Sequence, residues 1–335
     1  MRAAIYGAGS LGTILGAYIA RKGVSIDLVN RNKAHIEALK ANGATVTGTV
    51  SFNQKVNALH IEEMSGKYDI IFLMTKQLDN AATVAFLGDY LEPDGVIVTL
   101  QNGLPEVLIG SIIGEDRVIG CTVAWGATMQ GPGVCELTSE PDCLTFSLGT
   151  VNGRRNPRME EVKSLLENMG EVEIDDNFIG SRWSKLLINS TFSGLSAVFG
   201  CTFGETVDDP SRRRVAQAIM KECFDVCAKG GIRIAPIQGK DVVRLFDYSN
   251  CIKKRIAFML LPLAIKKHRR LKASMLQDLE KGKLTEVDAI NGSVCAFGRK
   301  VGCPTPFNDK VVDIVHKIES GVLKPSFDNL KLFNS

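Results

Sequence analysis

An α/β amino-terminal domain followed by an all-helical carboxy-terminal domain is the fold class the sequence predicts, on three observations. Residues 1–31 read as a strand, a glycine turn, a helix and a second strand. Two apolar runs, Asp69 to Met74 and Gly95 to Leu100, are continuous rather than alternating, as expected of strands buried on both faces of a parallel sheet. Past residue 176 the apolar residues recur at helical spacing. The expected domains are therefore 1–176 and 177–335.

The opening unit carries the most specific signal. Ala3 to Tyr6 is an apolar strand, and the turn Gly7-Ala8-Gly9-Ser10-Leu11-Gly12 follows it. Leu11, Ile14, Leu15, Tyr18 and Ile19 then repeat at spacings of three and four, Gly23 is a helix stop, and Val24 to Val29 is a second strand. The glycines fall at GxGxxG in a strand–turn–helix context, which is the Rossmann dinucleotide fingerprint. Gly7 permits the tight turn, Gly9 leaves the backbone open to a pyrophosphate, and Gly12 lets helix and strand pack closely. Gly7, Ala8, Gly9, Ser10, Leu11 and Gly12 are thus candidate cofactor contacts, with the helix N-terminus facing the anion.

The end of the second strand bears on the choice of nucleotide. A free ribose 2′-hydroxyl usually meets Asp or Glu there. Here Asn30 is followed by Arg31 and Lys33, so NADP(H) is expected over NAD(H), with Arg31 on the 2′-phosphate. The plainer alternative makes Arg31 a solvated loop charge. Asp27 lies inside the strand and is discounted as the ribose ligand.

Further along, Lys33 to Lys40 is a short helix ending at Gly43, and residues 44–60 form small strands. Asn80 to Leu87 is helical and Arg117 to Val123 is another strand. Residues 125–149 hold a loop and antiparallel strands, Arg158 to Met169 a helix, and Glu171 to Ile174 a final strand. In a doubly wound sheet the ligand lies beyond the carboxyl ends of the strands. That rim would gather the Gly7 turn, Asn30/Arg31, Thr75/Lys76, Asn102 and the stretch after Val123. Each station alone is weak; together they suit a phosphate-bearing cofactor.

Composition removes several other classes. A net charge of +3 over 335 residues does not suggest a nucleic-acid protein. Nine cysteines stand without a CxxC or a paired framework, as expected of a reducing cytoplasm, and with four histidines no metal site is expected. Residue 1 already leads into a core strand, so no signal peptide is expected. The longest apolar run, Ile256 to Ile265, contains Pro262 and is too short to span a bilayer. It is expected to be a buried helix segment between the basic ends 253–255 and 266–270.

In the second half, residues 179–199 read as one long helix. Further helices are expected from the Asp209-Pro210 start to Lys229, and over 239–247, 284–301 and 308–319, the last bounded by Pro304 and Pro306. The long helix carries Lys185, Asn189 and Ser193 at a spacing of four, which places all three on one face. Such a stripe is either a solvated face or a site. As a site, a lysine ammonium beside a bound nicotinamide can polarise a carbonyl and donate a proton as hydride arrives. A second polar run extends from Lys272 through Ser274, Asp278, Thr285 and Glu286 to Asn291-Gly292. Glu286 is equally consistent with first-turn dipole complementarity and with a ligand role.

The chain resembles the ketopantoate reductase (2-dehydropantoate 2-reductase) family along nearly its whole length. The matching residues are the Gly7–Gly12 turn, Arg31, Thr75-Lys76, Gln101-Asn102-Gly103, Trp183-Ser-Lys185 with Asn189, Ser274 to Asp278, and Thr285-Glu286-Val-Asp with Ile290-Asn-Gly292. The resemblance implies an NADPH domain and a helical domain with the active site between them. It makes Lys185 the proton donor and Asn189 a substrate ligand. It places Ser274 on the substrate carboxylate and Glu286, the second catalytic residue beside Lys185, near cofactor and substrate. Arg31, Lys76, Asn102, Ala127 and Glu286 match cofactor-contacting positions, and Asn102 and Ser193 are also carried as substrate-binding candidates. The implied reaction is reduction of ketopantoate to (R)-pantoate, feeding pantothenate and coenzyme A synthesis. The expected partner is a small 2-oxo acid, with self-association into a homodimer left open.

Two positions depart from the family pattern. Asn is common where this chain has Ser193, and another Asn is common where Phe203 precedes Gly204-Glu205. Ser193 still hydrogen-bonds; the Phe203 ring does not. Two alternatives therefore stand beside the ketopantoate expectation. One is a reductase of another, more apolar 2-oxo acid (a D-2-hydroxyacid dehydrogenase) on the same fold. The other is a non-catalytic NADP(H) sensor, against which the joint presence of Lys185, Asn189, Ser274 and Glu286 argues. An FAD enzyme would share the turn, but no second nucleotide motif is present.

Overall fold

The computed structural model describes residues 1–333, so positions 334–335 of the expected helical domain lie outside the described residues. The chain divides into two compact units. The first comprises 1–101 and 105–178; the second comprises 102–104 and the chain from Ile179 onward.

The first unit holds β1 (Ala3–Tyr6), β2 (Asp27–Asn30), β3 (Ala44–Gly48), β4 (Phe52–Gln54), β5 (Asn57–His60), β6 (Tyr68–Leu73), β7 (Leu91–Thr99), β8 (Val118–Val123), β9 (Ala127–Gly131), β10 (Val134–Leu137), β11 (Thr145–Gly149) and β12 (Glu171–Ile174). The large sheet has the order β12-β11-β8-β7-β6-β1-β2-β5. Six strands from β8 to β5 are mutually parallel, and β11 joins β8 antiparallel with β12 parallel to it. The chain turns outward in opposite directions on the two sides of β1, which makes the space above β1 and β6 the switch point where ligands bind in such sheets.

Strand β1 shows why the apolar runs are continuous. Ala3 and Ile5 join Ile14, Leu15 and Ile19 of the helix Ser10–Arg21 on one face. Ala4 and Tyr6 join Val84, Leu87 and Ile109 on the other. Those last residues come from the helices Asn80–Gly88 and Pro105–Ile113. The second of these helices was not expected from the sequence; its Val107, Leu108 and Ile112 are exposed, so its apolar residues do not confine themselves to one stripe.

The stretch expected as antiparallel strands is shared between two sheets. β11 completes the large sheet, while β10 lies in a small sheet of order β4-β3-β10-β9, parallel to β3 and antiparallel to β9. This small sheet packs on the helix Ser10–Arg21.

In the second unit the expected single helix over 179–199 is three pieces in succession. An α-helix, Phe178–Ile188, passes into a π-helical turn, Asn189–Ser193, and then into the α-helix Gly194–Phe199. The long helix Pro210–Lys229 begins as expected, with Asp209 Oδ1 accepting from the N–H groups of Ser211 and Arg212 at 2.9 and 3.0 Å. The helices Val287–Val301 and Pro306–Glu319 pack on it and on each other. Pro306 is the first residue of its helix rather than a boundary before it, a position where the missing N–H costs nothing.

The run Ile256 to Ile265 departs from expectation. It lies in the helix Cys251–Ala264, where Ala257 and Leu261 are buried but Ile252, Ile256, Met259 and Leu263 are exposed. Hydrophobicity along the chain does not say which apolar face finds a neighbour, and here one face did. Among the described residues no helix is long and apolar enough to cross a membrane.

One packing feature of the first unit is directly testable. Gly120 on β8 and Gly149 on β11 stand opposite each other, and Phe178 fills the space their missing side chains leave. A Cβ at either position overlaps the Phe178 side chain. Gly120→Ala is expected to lower stability by about 1–3 kcal/mol, read as a lower urea midpoint; an unchanged midpoint refutes this packing.

Candidate active site

The glycine turn in the first unit is built as its pattern requires. Gly7 has φ +92°, and a Cβ there would stand 2.7 Å from Thr75 N, against the chain leaving β6. A Cβ at Gly12 would stand 2.9 Å from Ile5 Cγ2 and 3.0 Å from Gly7 O, so helix and strand are in contact at this point. At Gly9 the nearest atom would be 3.9 Å away, leaving the backbone open to a ligand. The helix Ser10–Arg21 has no acidic residue in its first turn and no side-chain cap, so its leading N–H groups suit an anion. These residues fit the pyrophosphate of a dinucleotide.

Asn30 and a side chain that the sequence did not single out, Thr13, brace this turn. The Ala8 carbonyl accepts from Asn30 Nδ2 at 2.8 Å and from Thr13 Oγ1 at 3.2 Å. Asn30 Oδ1 in turn accepts from Asn32 N at 2.9 Å. Asn30, at the position of the usual ribose carboxylate, is therefore tied back onto the turn, and the exposed Arg31 follows it. Asp27 lies at the amino end of β2, where its carboxylate accepts from Tyr68 Oη at 2.8 Å, Arg2 at 3.1 Å and Asn57 at 2.6 Å. It belongs to the edge of the sheet away from the ligand rim.

His35 extends the bracing. Gly133 N donates to His35 Nδ1 at 3.0 Å, so Nδ1 carries no proton. Nε2 then holds it and donates to Thr13 Oγ1 at 3.0 Å, which passes its own hydrogen to Ala8 O. Burial pushes the His35 pKa below its ordinary value, with the Ala8 carbonyl opposing. The imidazole is thus a neutral link between the turn and the β9–β10 hairpin. No spacing rule marks such a link in the sequence.

Lys76 is exposed just beyond β6. The rim beside it is braced by Gln101, whose Nε2 donates to Thr75 O at 3.0 Å and Asn80 Oδ1 at 2.8 Å. Ala127 is half-buried at the start of β9, the strand that packs beside the helix Ser10–Arg21. The stations Gly7–Gly12, Arg31 and Lys76 follow the carboxyl ends of β1, β2 and β6.

In the second unit Lys185 and Asn189 are half-buried and Ser193 is 6 % exposed, so the stripe is not a solvated face. Its alignment depends on the π turn. Four residues of α-helix overshoot a full turn by ~40°; four residues of π-helix, at ~4.4 per turn, fall short by ~30°. The step from Asn189 to Ser193 therefore cancels the drift from Lys185 to Asn189. Asn102 is half-buried, Ser274 is the exposed first residue of the helix Ser274–Glu280, and Glu286 is half-buried just before Val287–Val301. Phe203 is a core residue, stacked on Phe192 with ring centroids 5.3 Å apart.

The cysteines have no part in this arrangement. Burial pushes Cys223 up to about 12, and Cys227 sits one turn on in the same core. Burial keeps such thiols in the protonated form. Among the described residues no group of three or more His, Cys, Asp or Glu is placed to hold a metal ion.

A doubly wound parallel sheet with this glycine turn at its switch point defines a Rossmann-type dinucleotide-binding protein. Two sequence models resolve the class further. "Ketopantoate reductase PanE/ApbA" matches residues 3–149, and "Ketopantoate reductase PanE/ApbA C terminal" matches residues 177–319. The chain is 30% identical over 323 residues to the 2-dehydropantoate 2-reductase of Pyrococcus horikoshii, covering 96% of this chain and 98% of that one. It is also 30% identical to the enzyme of the same name from Archaeoglobus fulgidus, covering 96% and 99%. Among solved structures, a PanE/ApbA family ketopantoate reductase from Ralstonia eutropha superposes with a TM-score of 0.81 at 23% identity, covering 96% and 99%. A D-mandelate dehydrogenase, solved with NADH and anilino(oxo)acetate, superposes with 0.80 at 22% identity over the same shares and speaks for the fold alone. The chain belongs to the ketopantoate reductase family. It is an oxidoreductase of the 2-dehydropantoate 2-reductase type.

The neutral His35 link has a pH signature. Because its folded pKa is lowered, its contribution to stability is complete above the ordinary histidine value near ~6.5 and is lost as pH falls below it. Over about pH 7.5 to 5, thermal melts of His35→Gln should show a shallower loss of Tm than the parent. Equal slopes would mean that His35 is not held neutral.

Proposed function

We propose that this enzyme reduces the C2 carbonyl of ketopantoate to (R)-pantoate with NADPH, supplying pantothenate and coenzyme A synthesis. What carries the proposal is the aligned Lys185–Asn189–Ser193 stripe on a helix of a unit that the family's carboxy-terminal model covers. The first unit would hold the dinucleotide through Gly7, Ala8, Gly9, Ser10, Leu11 and Gly12, with Arg31, Lys76 and Ala127 as further contacts; Asn102 and Glu286, the other cofactor candidates, belong to the second unit. Bound there, the reduced nicotinamide supplies the hydride.

The chain's own residues do the rest. The Lys185 ammonium hydrogen-bonds to the ketone oxygen, draws charge onto it and transfers a proton from Nζ as the alkoxide forms; solvent restores that proton. Asn189 and Ser193 hydrogen-bond the substrate's polar groups, and the Ser274 hydroxyl donates to its carboxylate. Glu286 orients the reacting groups by accepting from a substrate hydroxyl. The preference for NADPH rests on Asn30 and Arg31. Position 30, where a ribose carboxylate usually stands, carries an amide tied back to the turn, and the Arg31 guanidinium follows it.

Phe203 supports a second reading, in which the physiological substrate is a more apolar 2-oxo acid. Its ring stacks on Phe192 where the family often places an amide.

Initial rates of NADPH oxidation with ketopantoate, beside a panel of other 2-oxo acids, decide between the two. A kcat/KM at least about 100-fold higher for another acid, ~2.7 kcal/mol of transition-state binding, overturns the first. Lys185→Ala should lower kcat by about 10²–10⁴-fold while leaving NADPH binding, read by fluorescence titration, nearly unchanged. Arg31→Ala should raise the KM for NADPH about tenfold, a ~1.4 kcal/mol loss, and leave that for NADH in place. An equal effect on both cofactors would remove Arg31 from the 2′-phosphate.

A further inference from the structure

The π turn Asn189–Ser193 has a visible cause. In a continuous α-helix the Gly194 N–H would bond to Ser190 O. Here it reaches back five residues to Asn189 O. The Ser190 carbonyl, released and buried, accepts instead from Asn291 Nδ2 at 2.9 Å. The same nitrogen donates to Asn308 Oδ1 at 2.9 Å, and Asn308 Nδ2 donates to Glu222 Oε2 at 2.7 Å. Glu222 also accepts from the N–H groups of Phe307 and Asn308 at 2.7 and 2.9 Å, capping the helix Pro306–Glu319.

The polarity of this chain is set at one end. Burial raises the Glu222 pKa, but its oxygens accept from three N–H groups, two of them on Oε2, and as an acceptor Glu222 sets the Asn308 amide nitrogen toward itself and the amide oxygen toward Asn291. Asn291 then has only its nitrogen to offer to Asn308 and Ser190. Gly194 makes room for it: a Cβ there would stand 2.7 Å from Asn291 Oδ1 and 3.0 Å from Val311 Cγ1. Asn291, Asn308 and Glu222 are all buried.

We propose that Asn291, oriented by Asn308 and Glu222, is a positioning residue for the substrate site. It holds the π turn open by satisfying Ser190 O, and so keeps Asn189 and Ser193 in line with Lys185. The inference rests on the assignment of Asn189 and Ser193 to the substrate. Without the amide, Ser190 O recovers the Gly194 N–H, the turn relaxes toward α-helix, and the ~40° drift per four-residue step returns. The prediction is specific to the oxo acid, because the dinucleotide turn lies in other elements.

Three variants of the full-length enzyme test this: Asn291→Ala, Gly194→Ala and, as the control, Asn189→Ala. Kinetic constants, NADPH binding and Tm are measured for each. Gly194→Ala displaces the amide with every network partner present and adds a better helix former, so it remains informative if Asn291→Ala folds poorly. Expected for both is a fall of about 10- to 100-fold in kcat/KM, carried mainly by KM for the oxo acid, with NADPH affinity unchanged. A lowered Tm with kinetic constants within about twofold of the parent overturns the proposal and leaves the network purely structural. If Asn189→Ala raises KM but the other two do not, the network inference fails alone. If Asn189→Ala leaves KM unchanged, the substrate assignment itself fails. Should the parent prefer a different 2-oxo acid, the same comparison is read on that acid.

Discussion

A buried peptide group that loses its regular partner must find another. Both functional regions of this protein are organised by that requirement. At the glycine turn the chain stops being strand before it becomes helix, and the leading N–H groups of Ser10–Arg21 face outward without partners inside the helix. The turn around them is held by the Ala8 carbonyl, which takes hydrogens from Asn30 and Thr13. In the second unit the released group is a carbonyl, Ser190 O, and an amide side chain from a helix about a hundred residues later satisfies it. One deficit of partners makes a place for an anion; the other accompanies a π turn in the helix that carries Asn189 and Ser193.

Charge is distributed with the same economy. Asp27 and Asn30 bracket β2. The carboxylate at the amino end is neutralised by Arg2 and hydrogen-bonded by Tyr68 and Asn57, at the sheet edge away from ligand. The amide at the carboxyl end is tied to the turn, so the strand presents no negative charge to the rim and Arg31 follows directly. Glu222 serves the second unit in a related way. By accepting from three N–H groups it sets the direction of the amides between itself and the helix that carries Lys185.

Much of this was legible in the one-dimensional pattern, and the limits are instructive. The glycine turn, the parallel core strands and the helix from Pro210 to Lys229 come from local rules: φ at a glycine, burial on both faces, a capping aspartate. The helix Pro105–Ile113 was missed because its apolar residues point both inward and outward. The segment Cys251–Ala264 misled in the opposite sense, since a run of apolar residues announces a face but not whether a neighbour covers it. The division of β10 and β11 between two sheets depends on pairing with strands up to ninety residues away, which adjacent spacing does not encode.

The sequence by itself determined the dinucleotide turn, the absence of an acidic residue after β2, and the set of chemically capable groups: Lys185, Asn189, Ser193, Ser274 and Glu286. These follow from residue identity and short-range spacing, which a linear chain carries in full. The tertiary structure alone decided what braces the turn and the Asn189–Ser193 segment. Asn30 turns back to Ala8, His35 is held neutral between Thr13 and Gly133, and Asn291 reaches Ser190 O. Each is a contact between residues made neighbours only by packing, and each acts by satisfying a backbone group whose need arises only once the fold has formed.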